Sequence, residues 1–181
     1  MNRVLIVVAV VIVAAAGCVG LITLLVSRDS SQVGGTSGPG ILEPDRGSGL
    51  AAANAPDTPV SPPANPPTSG RHKQAPVERD RESLSDDELL TALQQGNVVL
   101  AYEGNPKPAA ALVAIQADVA GPFDPSLAAA GQAVILDYRP GVGGVIALAW
   151  RRKLVASGPQ DTRLRAFAEA WLGQGPATAT G

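Results

Sequence analysis

The chain is poor in the residues that build most catalytic and metal centres. Among 181 residues there is one cysteine, one histidine and one methionine, and aromatics make up 3%. A single cysteine excludes an intramolecular disulfide and a cysteine-based zinc site. A single histidine excludes a histidine-rich metal cage and leaves no second imidazole for a serine–histidine relay. An excess of positive charge is missing too. Fourteen Lys and Arg stand against sixteen Asp and Glu, for a net charge of −2. Binding to a phosphate backbone needs clustered basic residues, so nucleic acid is not an expected partner.

What the chain does contain is unevenly placed. Of the 23 residues Val4–Val26, 20 are apolar, and Gly17, Gly20 and Thr23 are the exceptions. As a helix this run is roughly 34 Å long, enough for a hydrocarbon core of about 30 Å. The apolar region of a cleaved signal peptide is shorter, about 7–15 residues. The run therefore predicts an uncleaved single-pass signal anchor held in the lipid bilayer, with residues 1–3 as a short cytoplasmic tail. Arg3 lies on the inner side of this span, and the chain after Arg28 is expected outside the cytoplasm. Ala15-Ala16-Gly17-Cys18 resembles the lipobox of bacterial lipoproteins. The apolar run continues through Val26, however, so Cys18 reads as a small residue inside the span.

Residues 27–82 show neither a helical nor a strand period. Nine prolines lie between Pro39 and Pro76, mixed with Gly, Ser, Thr and Ala. Proline fixes φ and removes a donor, so this segment reads as a disordered spacer of coil and polyproline II. Regular structure is expected from 83 to 176. Ser85-Asp86-Asp87-Glu88 forms a capping box ahead of a helix carrying Leu89, Leu90 and Leu93, with Gly96 as its stop. Asn97–Tyr102, Gln132–Tyr138 and Gly144–Lys153 read as strands, and Ala109–Val119 as a helix. A further helical turn follows Asp124-Pro125. Asp161 caps a last helix with Leu164, Phe167, Ala168 and Trp171 on one stripe. The expected fold is a small α+β domain of about three strands and three helices, with the helices over one face. Residues 177–181 are expected as a disordered tail.

Chemistry-bearing residues are few. His72 has only Glu78, Asp80 and Glu82 nearby in sequence and reads as a solvated loop residue. Asp86, Asp87 and Glu88 suit a helix N-terminus without any cation. Arg151-Arg152-Lys153 reads as a solvated strand end. Gly141–Gly144 lacks the Lys-Ser/Thr of a phosphate loop. Trp150, Phe167 and Trp171 read as packing residues.

Asn65–His72, Ala92-Leu93 with Gly96, Val98-Val99, Ala149-Trp150, Arg165-Ala166-Phe167 and Gly173-Gln174-Gly175-Pro176 together resemble the bacterial family catalogued as domain of unknown function 3105. Its members resemble one another in an N-terminal membrane segment, an N-P-P-T-S-G-P-H motif, an H-A-L-E-H-G motif and a C-terminal G-R-G-P. The histidine motifs of that family look like a metal site. This chain keeps His72 but has Arg71 in place of the proline, and Thr91, Gln94 and Gln95 in place of the histidine, glutamate and second histidine. Hydroxyl and amide groups are poor ligands beside imidazole and carboxylate. The resemblance thus implies an envelope-facing domain whose site is degenerate, with His72 its remnant and no metal or other cofactor held. The expected function is that of a tethered, non-catalytic protein that binds or assists another membrane or envelope component. The alternative is a metal-handling protein using His72 and the carboxylates from Glu78 to Glu88.

The predicted topology has a direct check. Protease added to spheroplasts is expected to remove the C-terminal domain. Mass spectrometry of the membrane-extracted chain is expected to show an intact Met1. Full protection of the domain contradicts the orientation, and a lipid on Cys18 contradicts the anchor.

Overall fold

The computed structural model describes residues 38–59, 61–62 and 65–177. The expected tail 1–3 and membrane segment Val4–Val26, with Cys18, lie outside the described residues, as do 178–181. Among the described residues no helix is long and apolar enough to cross a membrane. Gly38–Gly181 form one unit.

The fold is α+β. Its elements in chain order are β1 (Ile41–Leu42), α1 (Asp86–Gln95), β2 (Val98–Tyr102), α2 (Ala110–Ala120), α3 (Pro125–Ala129), β3 (Val134–Tyr138), β4 (Val145–Ala149), β5 (Arg152–Ala156) and α4 (Arg163–Trp171). The five strands form one sheet in the order β1-β5-β4-β2-β3. Only β2 and β3 run parallel, with Val98 opposite Val134, and the crossover between them carries α2 and α3.

Helix α1 starts as its sequence dictates. The Ser85 hydroxyl accepts from the Glu88 N–H at 3.2 Å, and the Glu88 carboxylate accepts from the Ser85 N–H at 2.8 Å. These reciprocal bonds satisfy two of the donors a helix leaves open. Gly96 closes the helix in the left-handed conformation, φ 108°. Leu89, Ala92 and Leu93 on one stripe are fully buried. A core position of this kind stabilises by about 1.5–3 kcal/mol per leucine.

The sheet is covered on both faces, not on one. Val98, Leu100 and Tyr102 of β2 join Val134, Leu136, Val145 and Ala147 in a core closed by Leu112 and Ile115 of α2 and by Leu164, Phe167 and Ala168 of α4. Val99 and Ala101 join Ile135, Ile146 and Leu148 in a second core closed by Leu89, Ala92 and Leu93 of α1 and Ala128 of α3. Every residue of β2 and β4 is buried. Their uninterrupted apolar sequences, VVLAY and VIALA, are the composition that two covered faces require.

The strand count also differs from the expected three. The stretch 144–153 is a hairpin of β4 and β5, with Ala149 opposite Arg152 and only Trp150 and Arg151 between them. Arg151 takes positive φ, 58°, at this tip. Ala-Trp-Arg-Arg holds none of the residues that usually mark a turn. The tip is fixed from outside, because the Arg151 N–H donates to the Thr68 carbonyl at 2.9 Å and its own carbonyl accepts from the Glu43 N–H at 2.8 Å. The fifth strand, β1, lies inside the segment expected as a spacer and pairs antiparallel with β5. Pro39 and Pro44 bracket it, which limits further pairing at that edge.

The described part of that segment runs along the domain. Thr68, Ser69, His72 and Val77 are buried. Residues 80–84 lie along the outer edge of β3. The Arg81 N–H donates to the Leu136 carbonyl, the Leu136 N–H to Asp80 Oδ1 at 2.8 Å, and the Leu84 N–H to Asp137 Oδ1 at 2.9 Å.

One buried ionic network fastens this edge to α1. The Arg139 guanidinium donates to Asp137 Oδ2 at 2.9 Å, to Asp86 Oδ1 at 3.2 Å and to the Leu84 carbonyl at 2.9 Å. Burial pushes the Asp137 carboxyl above its ordinary pKa, and the adjacent guanidinium opposes that shift. Replacing Arg139 by Leu leaves two carboxylates buried without their cation. The expected cost is about 3–5 kcal/mol in equilibrium denaturation. A loss of only about 0–1 kcal/mol, the value of an exposed pair, contradicts this account.

Candidate functional site

Segments far apart in the sequence meet at the β4–β5 hairpin tip and the C-terminal end of α1. Their meeting depends on close backbone contact. The C-terminal segment 173–177 crosses the last turn of α1, where the Gly173 N–H donates to the Gly96 carbonyl at 2.8 Å and the Ala177 N–H to the Gln94 carbonyl at 3.2 Å. A Cβ on Gly175 would run into the Gln94 carbonyl oxygen and the Gly96 nitrogen. On another side of the same turn, a Cβ on Gly131 would overlap the Gln95 carbonyl oxygen. Two glycines thus let two chain segments touch helix backbone directly.

Residues 45–51 lie across the other side. The Ala51 N–H donates to the His72 carbonyl at 2.7 Å, and Leu50 bridges His72 in parallel. The Arg46 N–H donates to the Ser69 hydroxyl at 3.1 Å, and the Gln94 side chain donates to the Ser48 carbonyl at 2.8 Å. Between this segment, the hairpin tip and residues 173–176 lies an open cleft of about 600 Å³, lined by Asp45, Ser48, Trp150, Arg151, Gly173, Gln174, Gly175 and Pro176.

His72 sits behind this wall, with 0% of its surface exposed. It is therefore not the solvated loop residue expected from sequence. Its Nδ1 lies 2.9 Å from the Gly70 carbonyl oxygen, an acceptor that places a proton on Nδ1. Nε2 has no partner among the described residues. The ring lies 6.5 Å from the Trp150 ring, tilted by 56°. Thr91 and Gln94 are brought close by. The Thr91 hydroxyl donates to the Lys73 carbonyl at 3.2 Å and accepts from the Ala75 N–H at 3.0 Å. Gln95 is half-buried one turn beyond Thr91.

Of the carboxylates near His72 in sequence, Glu78 is exposed, and those from Asp80 to Glu88 are bound to other groups. Asp80 accepts from Leu136 N–H and Gln116, and Glu82 pairs with Arg79. Asp86 belongs to the Arg139 network and also accepts from the Ser61 N–H at 2.5 Å. Asp87 accepts from the Thr58 hydroxyl and the Lys73 N–H, and Glu88 completes the capping box and pairs with Arg79. Among the described residues no group of three or more His, Cys, Asp and Glu side chains is arranged to hold a metal.

The basic run 151–153 is not a solvated strand end. The Arg152 guanidinium lies over the Trp171 ring, 4.5 Å from its centroid, and its Nη1 is buried without a partner among the described residues. Burial, aided by neighbouring Arg151, lowers its pKa. Lys153 Nζ is buried and bonds Asn65 Oδ1 and Glu43 Oε1, each at 2.9 Å. Glu43 accepts in addition from the Thr68 hydroxyl at 2.6 Å. Phe167 is core, and Trp171 donates to the Pro39 carbonyl at 2.8 Å. Of the three aromatics read as packing, Trp150 alone also lines the cleft.

The segments that meet here are Asn65–His72, the end of α1, Ala149-Trp150 and Gly173–Pro176. Residues 54–180 match the model of the family described as protein of unknown function DUF3105. The chain belongs to this family. No curated protein and no solved structure matches it. Within this DUF3105 domain the donor set around His72 does not fit a metal. Thr91 and Gln94 are neutral and poor ligands, the Thr91 hydroxyl is used in holding residues 73–75, and the Gln94 amide nitrogen in holding residue 48.

The Glu43 cluster makes a pH prediction. Burial works to raise the Glu43 pKa, but the bonds from Thr68 and Lys153 and the charges of Lys153 and Arg46 together outweigh it and hold the carboxyl below its ordinary 4.5. A depressed folded-state pKa adds stability above the ordinary value, and this is lost as pH falls through the folded value. The protection factors of the Ile41 and Lys153 amides, with the intrinsic pH dependence of exchange divided out, are therefore expected to fall below about pH 4.5 in the wild type. In Glu43→Gln they are expected to be low already at neutral pH and to fall no further in acid. Equal pH dependence in both proteins contradicts the assignment.

Proposed function

We propose that this protein is a membrane-anchored, non-catalytic envelope protein whose extracytoplasmic domain binds another membrane or envelope component in the cleft at the hairpin tip. The observation that carries the reading is the convergence of three separated segments, residues 45–48, 150–151 and 173–176, on the walls of one open cleft, held in place by backbone and side-chain hydrogen bonds. Such a site is rigid before any partner arrives, which lowers the cost of binding. The non-catalytic part of the reading draws on His72. A base must reach its substrate, and this imidazole is walled in with Nδ1 bonded to Gly70. The anchor at Val4–Val26 and the orientation outside the cytoplasm draw on the apolar run and its flanking arginines.

A metal-handling role stands second, because one observation favours it: the buried, unpartnered Nε2 of His72. Against it stands the commitment of the carboxylates from Asp80 to Glu88 to other bonds.

A photoreactive residue at Ser48 of the full chain tests the first reading in intact cells. Illumination is expected to yield an adduct that disappears when Trp150 is also changed to Ala. The same residue placed at the exposed position Asp118 on α2 is expected to give none. No adduct at Ser48, or the same adducts at both positions, contradicts the proposal.

A further inference from the structure

The side chains of the cleft define a ligand chemistry. Asp45 contributes a carboxylate, Ser48 a hydroxyl, Arg151 a guanidinium and Gln174 a carboxamide, all beside the Trp150 indole. The volume, about 600 Å³, lies within the about 300–1,000 Å³ common for ligand sites. We propose that this cleft is a saccharide-binding site, an assignment that rests on the reading of the domain as a binding module. A sugar ring presents hydroxyls that both donate and accept, together with a face of C–H groups. The indole offers a flat apolar face to the C–H groups. The carboxylate, amide and guanidinium offer planar, paired donors and acceptors to neighbouring hydroxyls.

The other ligand classes fit less well. Arg151 is the one cation on the lining, and it is shared with Asp45 at 3.4 Å and with the Glu43 carbonyl at 3.4 Å. A carboxylate on the same wall repels phosphate. Trp150 and Pro176 are the apolar side chains of the lining, too few to seat an amphipathic helix, which needs a row of apolar anchors. The walls are loop segments and a hairpin tip, so they offer no strand edge for an extended peptide.

The site is also preformed. Trp150 packs beside His72 at the fixed tip, and the Ser48 carbonyl is pinned by Gln94. The segment 173–177 is tied to α1 through Gly96 and Gln94. The Ser48 hydroxyl and the Gln174 carboxamide stand at the cleft with no hydrogen bond to another described residue, so both are available to a ligand. His72 then acts as the support that holds the indole platform.

Calorimetric titration of the full chain in detergent tests the assignment. Chitohexaose, mannohexaose and cellohexaose serve as probes, with inorganic phosphate as the anion control. At least one oligosaccharide is expected to bind saturably, and phosphate is not. Asp45 and Gln174 are exposed, so Asp45→Asn and Gln174→Ala are expected to fold normally and to weaken binding at least about fivefold each, roughly 1 kcal/mol. Trp150→Ala is expected to abolish binding. Three oligosaccharides without saturable heat, or binding unchanged by both exposed substitutions, overturns the proposal. Should those titrations fail while the Ser48 photoadduct in cells is a protein, the binding-module reading survives and the saccharide assignment falls. Failure of both removes the two together.

Discussion

The last turn of α1 is approached by bare backbone from two directions, and the site depends on this constraint. Gly131 lies against the Gln95 carbonyl, and Gly175 against Gln94 and Gly96. Helix surfaces are normally kept apart by side chains. Here their absence lets residues 173–177 hydrogen-bond to α1 and form one wall of the cleft. The same turn sends the Gln94 side chain to Ser48, which fixes the opposite wall. One helix end therefore sets the separation of both walls, and the hairpin tip closes the floor with Trp150.

Charge does the corresponding work away from the helix end. The Arg139 network joins α1 to β3 and to the chain at Leu84, and the Lys153–Glu43–Asn65 cluster joins β5 to β1 and to the proline-rich segment. Both bury a cation with its partners. Such arrangements add little stability compared with an apolar core but tolerate no missing member. This explains how a chain with so few aromatics fixes an irregular, proline-rich segment against a sheet. Specific polar bonds hold it, together with the burial of Val77 in the second core.

Much of the helix and strand pattern was legible in the sequence. The capping box, the Leu89 and Leu93 stripe and the β2 and β3 runs follow from local chemistry that neighbours do not override. The β4–β5 turn was hidden because Arg151 takes a conformation for which nothing in Ala-Trp-Arg-Arg calls. It is held there by Thr68 and Glu43, more than 80 residues away. β1 was hidden because two residues between Gly40 and Pro44 carry no period. The second layer of helices was signalled by VVLAY and VIALA, whose lack of alternation asks for cover on both faces. The site was less legible than the fold. Its walls come from residues 45–48, 150–151 and 173–176, and no local pattern links them. His72 stood out by scarcity, but its burial is decided by residues 49–51 and by Trp150.

The most direct test of this account is amide hydrogen exchange on the full chain carrying Gly175→Ala. The added methyl group must push residues 173–177 off α1. The account predicts that the Gly173 and Ala177 amides lose protection, together with the residues across the cleft, while the β2 and β4 amides keep theirs. Unchanged protection at Gly173 and Ala177 would contradict it, because the close backbone contact on which the cleft is built would then not exist.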